Sequence, residues 1–394
     1  MTGTPTVDTI LTGTYVYSDI NGDVEGTSTF RWYADGVAIS GATANTYTLT
    51  VAEVGKTIEF GVTPVNAKAS GIEVKSAATA VVVAPPIVIP SIINPMFQNL
   101  TYNGTVAKTS GGLGPVTYQV TTGILPNGLT LNPFTGAITG KPTVTGAYNF
   151  TITATDSSPV PLTKVQQYVG TITNPLVLHL TFDGTTNDSS GYGNHGTIIH
   201  QENVVYDGGV IGNAIKFGGV RATGSVKVEQ NSSLALNNEV TLAYWLRMDS
   251  HYGEYNSDGN YIAKGNHAVF VKGNEGRLSS YIYTGAHKAD LWYQRSPGNK
   301  TIMVTNPFTV GDWVHVAFTI SPTQQKGYIN GVEVSTGNLI VPADLTTSNN
   351  PAEPIYIGWL NEQYYALNGA VDDLRMYNKA LSASDISVLY QLRN

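Results

Sequence analysis

Oxygen-bearing side chains gather at two places in the C-terminal half of the chain: Phe182-Asp183-Gly184 with Asn187, Asp188 and Asn194, and the adjacent pair Asp372-Asp373. Hard cations such as Ca2+ take about six to eight oxygens from carboxylates, amides and backbone carbonyls. Asp183, Asp188, Asn194, Asp372 and Asp373 are therefore candidate calcium ligands. Side chains alternate along a strand, so Asp372 and Asp373 should fall on opposite faces and only one of them should bind an ion. The competing reading has Asp183 and Asp188 capping turns, and Asp372 or Asp373 pairing with Arg375.

A second chemistry is sugar recognition, in which aromatic rings stack on the apolar faces of pyranosides and amides or carboxylates bind the hydroxyls. The polar stretch His251 to Tyr261 carries Tyr252 and Tyr255, and Trp359 to Tyr365 carries Trp359 and Tyr364. These four are the candidate ligand-binding residues, since loops on a rigid scaffold are where binding sites concentrate. The alternative is that tyrosines this frequent, 23 in the chain, are ordinary sheet residues with wet hydroxyls.

Catalytic patterns are missing. The seven histidines show no His-x-x-x-His spacing, no serine stands in a Gly-x-Ser-x-Gly elbow, and there is no cysteine. His315 sits in a strand-like run and reads as structural, whereas His195 and His251 lie in loops. Gly111-Gly-Leu-Gly114 and Asp207-Gly-Gly209 lack the lysine and following helix of a phosphate loop, and read as turns. Two acids at suitable separation suffice for glycoside hydrolysis, so Glu353 or Glu362 with Asp372 keeps that reading open. No catalytic residue is assigned.

The elements that position these residues are strands. Charged residues are only 12% of the 394, and Gly, Tyr, Thr, Ser and Asn dominate, which is the usage of turn-rich β-structure. With no cysteine, each domain must rely on its own packed core. The net charge of −7 divides into −2 for residues 1–174 (7 basic, 9 acidic) and −5 for 175–394 (14 basic, 19 acidic). No basic stripe suits nucleic acid or anionic lipid. No run approaches the roughly 20 apolar residues of a membrane span, and Met1 to Val7 resembles no export signal, so membrane insertion and a Sec leader are not expected.

Residues 1–86 alternate polar and apolar in short runs such as Thr29-Phe-Arg-Trp-Tyr33 and Thr57-Ile-Glu-Phe-Gly-Val-Thr63, divided by turn sequences such as Ala34-Asp-Gly36. The order of Asp19, Gly22-Asp23, Glu25-Gly26, Trp32 and Val62-Thr-Pro64 resembles a bacterial and phage immunoglobulin-like repeat, with Trp32 as its core tryptophan. Ala84-Pro-Pro-Ile-Val-Ile-Pro90 reads as a stiff linker. Residues 87–174 carry Leu125-Pro-Asn-Gly-Leu-Thr-Leu131, Thr135-Gly-Ala-Ile-Thr-Gly140, Pro142 and Tyr148 to Asp156, a series similar to the putative-Ig, cadherin-like family.

Residues 175–394 hold all seven histidines and four of the five tryptophans. Leu178 to Gly196, Val240 to Leu246, Trp313 to Phe318, Gly327 to Glu333 and Gly369 to Ser382 occur in an order that resembles the concanavalin A-like, laminin-G-like (pentraxin-like) jelly-roll family. Ser382 and Asp385 would cap one short C-terminal helix with an apolar face of Ile386, Leu389 and Tyr390. The resemblances imply an all-β chain: two Ig-like sandwiches followed by a concanavalin A-like sandwich. They also imply that the first-strand loop and the Asp372-Asp373 strand meet at a structural calcium site. Glycosidases on this fold carry a Glu-x-Asp-x-x-Glu run that is missing here. The expected function is non-enzymatic binding of host-surface or environmental glycans at a virion surface, with capsid or tail proteins held through the N-terminal Ig-like domain. The alternatives are an accessory carbohydrate-binding region of a secreted bacterial enzyme or cell-surface adhesin, and a glycoside hydrolase.

Overall fold

The computed structural model describes residues 1–218, 224–249, 266–273, 278–283, 288–293, 300–305, 309–339, 345–346, 354–358 and 366–393. The chain divides into two compact units, Met1–Thr173 and Asn174–Asn394. No helix among the described residues is long and apolar enough to cross a membrane.

The first unit holds two Ig-like cores. In the N-terminal one, Thr29–Ala34 pairs with Val37–Ala38 and Ile58–Thr63, the latter with Val74–Lys75, and Ile10–Thr12 pairs with Thr46–Thr48. The period-two runs put Trp32, Ile58 and Phe60 inside with Leu11 and Leu49. Trp32 is fully buried, and its indole N–H donates to the Ala44 carbonyl at 2.9 Å, which satisfies the polar atom of its ring. The second core lies between the three-stranded sheets Tyr102–Thr105/Ala137–Gly140/Leu129–Leu131 and Thr163–Ile172/Gly146–Asp156/Val116–Gly123. Ile138, Phe150, Ile152 and Tyr168 fill it.

The stretch read as a linker is not free. Ile87 and Ile89 are buried members of the second core while Val88 between them is exposed, and the Val88 N–H donates to the Ser110 carbonyl at 2.9 Å. The prolines remove donors that this segment does not need, and the alternation of Ile87 and Ile89 is that of a packed strand.

The second unit is a two-sheet sandwich. One sheet has eight described strands in the order Val204–Gly208, Asn213–Gly218, Asn368–Tyr377, Val240–Met248, Trp313–Ile320, Gln324–Ile329, Val332–Asn338, with Leu176–Leu180 also against Asn368–Tyr377. The other has seven, in the order Gly196–Ile199, Ser225–Val228, Ile355–Ile357, Asn266–Lys272, Leu278–Tyr283, Lys288–Tyr293, Lys300–Thr305. Between them lies a core that includes Leu242, Tyr244, Phe270, Leu291, Phe318, Ile357, Leu374 and Met376. The helix Ala383–Gln391 begins where Ser382 predicts: the Ser382 hydroxyl accepts the Asp385 N–H at 3.2 Å. Ile386 and Leu389 are buried, and the Tyr390 ring packs 5.5 Å from Trp245 on the outer face of the eight-stranded sheet.

If Ile89 is a core residue and not part of a linker, Ile89→Ala should cost about 2–4 kcal/mol in a denaturant titration of the intact chain, whereas Val88→Ala should fall within about 0.5 kcal/mol. Equal, negligible effects would restore the linker reading.

Candidate functional site

The five acidic and amide candidates resolve into three separate structures. Asp188 is an internal acceptor. One carboxylate oxygen takes the N–H groups of His179 and Ser190, both at 2.9 Å, and the other takes the Ser190 hydroxyl at 2.7 Å and the Asn194 N–H at 2.9 Å. Burial works to raise its pKa, but the donors from Ser190, His179 and Asn194 outweigh it and hold the carboxyl below its usual value. Asn194 donates to the Val177 carbonyl at 2.7 Å and bonds Ser233. The Asp188 N–H donates to His195 Nδ1 at 3.0 Å, so the loop histidine is part of the same knot. The oxygens of Asp188 and Asn194 are thus taken by protein donors, which does not fit a calcium role.

Asp183 and Asp372 serve a different loop. Asp372 Oδ2 accepts the N–H groups of Val210 and Ile211 at 2.7 and 2.9 Å, and Asp183 Oδ1 accepts that of Asn213 at 2.7 Å. The turn 209–213 is therefore pinned from both sides by carboxylates. Asp372 is fully buried and its Oδ1 has no hydrogen-bond partner, while Asp183 is exposed. Burial pushes the Asp372 carboxyl up to about 7 against the pull of the two N–H groups, and the charge of Asp373 pushes the same way.

Asp373 goes elsewhere. It sits at φ +48°, in a bulge where the pairing of Asn368–Tyr377 with Val240–Met248 shifts register between Ala243 and Trp245. Its Oδ1 lies 2.7 Å from His179 Nε2 and accepts from Arg375 Nε and Nη2 at 3.2 and 3.0 Å. Its partners, His179 and Arg375, face each other on the outer side of the sheet, so simple alternation from Asp372 fails at the bulge. The cationic guanidinium on Asp373 also does not fit a calcium ligand. Of the five candidates, Asp372 alone has a buried carboxylate oxygen, Oδ1, without a hydrogen-bond partner. Among the described residues no three His, Asp or Glu side chains come together as a metal site.

Tyr252, Tyr255, Trp359 and Tyr364, along with His251, Glu353 and Glu362, lie outside the described residues. His315 is buried between Trp245 and Tyr390, at 5.2 and 6.1 Å between ring centroids, and desolvation pushes its imidazole down to about 4, so it stays neutral.

A face that the sequence reading did not single out is the outward side of the seven-stranded sheet. Register carries one row from Lys227 through Tyr356 and Val271 to Ser279, and a second from Ala268 through Tyr281 and Asp290 to Met303. These residues alternate with core members such as Val226, Ile357, Phe270, Ile282 and Leu291. Val271, Ala268, Ser279 and Asp290 are buried, Tyr356, Tyr281 and Lys227 are half-buried, and Met303 is 50% exposed. The Ser279 hydroxyl, and that of Ser225 on the same side of the sheet, are buried without a hydrogen-bond partner. Asp290 Oδ1 accepts the Tyr281 N–H at 3.3 Å. Lys227 meets Glu229 at 2.6 Å. The available signal was the alternation Ile355-Tyr-Ile357 and Ser279-Ser-Tyr281, in which the non-core position is a tyrosine or serine.

Residues 217–387 match the concanavalin A-like lectin/glucanases superfamily, and residues 79–173 match the family described as Putative Ig domain, in the order the sequence implies. No curated protein matches the chain. Among solved structures, domain 4 of AbnA, a GH43 extracellular arabinanase from Geobacillus stearothermophilus in complex with arabinotriose, is 22% identical at a TM-score of 0.42, covering 55% of this chain and 98% of that one. The binding domain of Paraclostridial Mosquitocidal Protein 1 is 15% identical at a TM-score of 0.45, covering 55% and 52%. The binding domain of botulinum neurotoxin DC, in complex with rat synaptotagmin II, is 18% identical at 0.42, covering 55% and 51%. The chain spans about half the length of these two toxin domains.

Asp188 yields a direct test. Its folded-state pKa is depressed, so its stabilisation is present above the unfolded value near 4 and is lost as pH falls below it. Asp188→Ala strands buried donors and should cost about 3 kcal/mol at neutral pH. Thermal unfolding should show the same loss with calcium and with a chelator; a loss seen only with calcium would make Asp188 a ligand after all.

Proposed function

We propose that the second unit is a glycan-binding module that holds its ligand on the outward face of the seven-stranded sheet and does not cleave it. The observation that carries this reading is the composition of that face. Half-buried rings of Tyr356 and Tyr281 flank buried hydroxyls and one carboxylate, Asp290, over a floor of Val271 and Ala268. Rings supply stacking area with little conformational entropy to lose, and buried unpaired hydroxyls favour a ligand that brings hydroxyls of its own. Glycoside hydrolysis needs two carboxyl groups about 5–10 Å apart across the scissile bond. Among the described residues the buried acids of this unit, Asp188, Asp290, Asp372, Asp373 and Asp385, hold backbone, hydroxyl or cationic groups of the protein itself.

Binding of the intact chain to a glycan array, with the same glycans checked for shortening, tests the proposal. Saturable binding without cleavage is expected, and Tyr356→Ala or Tyr281→Ala should each weaken it about tenfold, near 1.4 kcal/mol, with the circular dichroism unchanged. Cleavage, or binding indifferent to both substitutions, would refute it.

Calcium belongs to the same proposal in a narrower form. Asp372 Oδ1 and Asp183 would hold the ion beside the 209–213 turn, with backbone carbonyls and water completing the oxygen set. Its role there would be to neutralise a buried carboxylate. Calcium should then raise the thermal midpoint of the intact chain, and Asp372→Asn should abolish that rise while Asp188→Asn leaves it. A calcium effect that survives Asp372→Asn removes this assignment.

The setting we propose is a virion surface, where the Ig-like unit meets capsid or tail proteins and many copies convert weak single-site affinity into avidity. The pairing of Ig-like cores with a lectin-like sandwich supports it. Immunolabelling of intact particles is the test; a chain found only in a bacterial secreted or cell-surface fraction would favour the accessory or adhesin alternative.

A further inference from the structure

We infer that the open edge of the strand Thr163–Ile172 is a self-pairing surface, on which a second copy of this chain lays the same strand antiparallel. Among the described residues this strand is the last of its three-stranded sheet: Gly146–Asp156 pairs along one side of it and no strand along the other. Two bonds agree on which backbone groups face which way. The Asp156 N–H donates to the Leu162 carbonyl at 3.1 Å on the paired side, and the Gln98 N–H donates to the Thr173 carbonyl at 2.9 Å on the open side. Successive residues of an antiparallel strand turn their backbone groups alternately to its two sides. Even-numbered residues therefore face Gly146–Asp156, and Thr163, Val165, Gln167, Val169 and Thr171 face the open edge. The Gln98 bond closes that edge at Thr173, which leaves 163–171 for a partner.

The same five residues are exposed, while Tyr168 and Ile172 on the opposite face are buried. They read Thr, Val, Gln, Val, Thr, the same in either direction. A two-fold axis at Gln167, perpendicular to the sheet, sets Gln167 against its own copy, Val165 against Val169 and Thr163 against Thr171, each pair exchanging both N–H···O bonds. Val165 and Val169 are 58% and 66% exposed, and this register covers one with the other. Shifting it by two residues sets valine against glutamine or threonine and shortens the ladder. Charge permits the pairing: the outward row carries none, and Lys164 on the other face comes opposite Gly170 of the second copy. Sheets guard open edges with prolines, bulges or outward charges, and this strand has none of them, its register with Gly146–Asp156 running unbroken. The Gln167 carbonyl accepts the Gln166 side-chain amide at 3.0 Å and keeps a second lone pair, while the Gln167 side chain donates to Asn149 at 2.9 Å, toward its own sheet. Each copy uses up the other's edge, so association stops at two.

Sedimentation of the intact chain over about 1–200 μM tests the inference, since an edge contact of this size belongs with weak interfaces. A monomer–dimer equilibrium is expected. Gln167→Lys and Gln167→Glu each set like charges face to face at the axis, and each should weaken the dimer about fivefold or more at about 50 mM salt with the circular dichroism unchanged. An equimolar mixture of the two variants should restore it. A chain that stays monomeric throughout, a dimer that neither substitution weakens, or a mixture no tighter than its components overturns the inference. A short thiol cross-linker reads the register separately, because the chain has no cysteine of its own. Gln167→Cys should link into a covalent dimer, and Thr163→Cys, about 27 Å from its copy at about 3.4 Å per residue, should not. Equal linking of both variants, or of neither, would rule out the two-fold pairing.

Discussion

The C-terminal sandwich depends on one strand, Asn368–Tyr377, which is paired along both edges and changes partner in mid-course on one of them. Along one edge it runs beside Val240–Met248. Along the other it meets Asn213–Gly218 through residues 368–371 and then Leu176–Leu180 through residues 374–377. At such a changeover a turn is left with N–H groups that no ladder receives, and a buried unpaired donor costs about as much as a lost hydrogen bond. Asp372 and Asp183 supply the acceptors, so the chain's first strand of this unit and its last are tied through the carboxylates that bind one turn. The cost is a fully buried carboxyl group whose second oxygen has no partner.

The two sheets then divide the work. The outer face of the eight-stranded sheet carries Trp245, His315, Arg375 and Asp373, and it is closed by the helix Ala383–Gln391 with Tyr390 and Arg393 laid against Trp245. Val240–Met248 is consequently buried on both sides except at Arg247, which pairs with Asp207 and Asp249 and lies 5.3 Å from the Trp313 ring. The outward face of the seven-stranded sheet is different in kind: its floor is small or polar, Tyr356 and Tyr281 are half-buried, and Lys227 of Ser225–Val228, the strand next to the edge, pairs with Glu229.

The fold was legible in the sequence because its signals are periodic and local. Trp32 among alternating polar residues, the Ser382 and Asp385 spacing, and the Gly369 to Ser382 run each imply their own surroundings, and each stands where expected. The prolines of 84–90 misled because a missing donor looks the same in a linker and in a packed strand whose neighbours ask for none. The site was less legible. That Asp183 and Asp372 meet over one turn is a fact of topology across 189 positions, reachable from the sequence only through family resemblance. Alternation failed at Asp373, where a single bulged residue at positive φ breaks the period of two, and aspartate is one of the few residues that tolerate that conformation. Asp188 was read both as a turn cap and as a ligand, and its four donors match the first.

Tyr356 and Tyr281 escaped the sequence reading for a more general reason. A tyrosine in a period-two strand is equally at home covering a sheet and contacting a ligand, and the difference is decided by what lies across the strand from it. Here the cross-strand neighbours are Lys227 and Val271 for the one and Ala268 and Asp290 for the other. Neither tyrosine is a member of the core between the two sheets, and their neighbours Ala268 and Val271 are themselves fully buried. Under the proposed glycan reading, stacking and hydroxyl contacts of this kind are individually modest, and among the described residues no converging arginines add to them. Affinity built from such parts is weak at a single site, and it becomes attachment only where several copies engage one surface together.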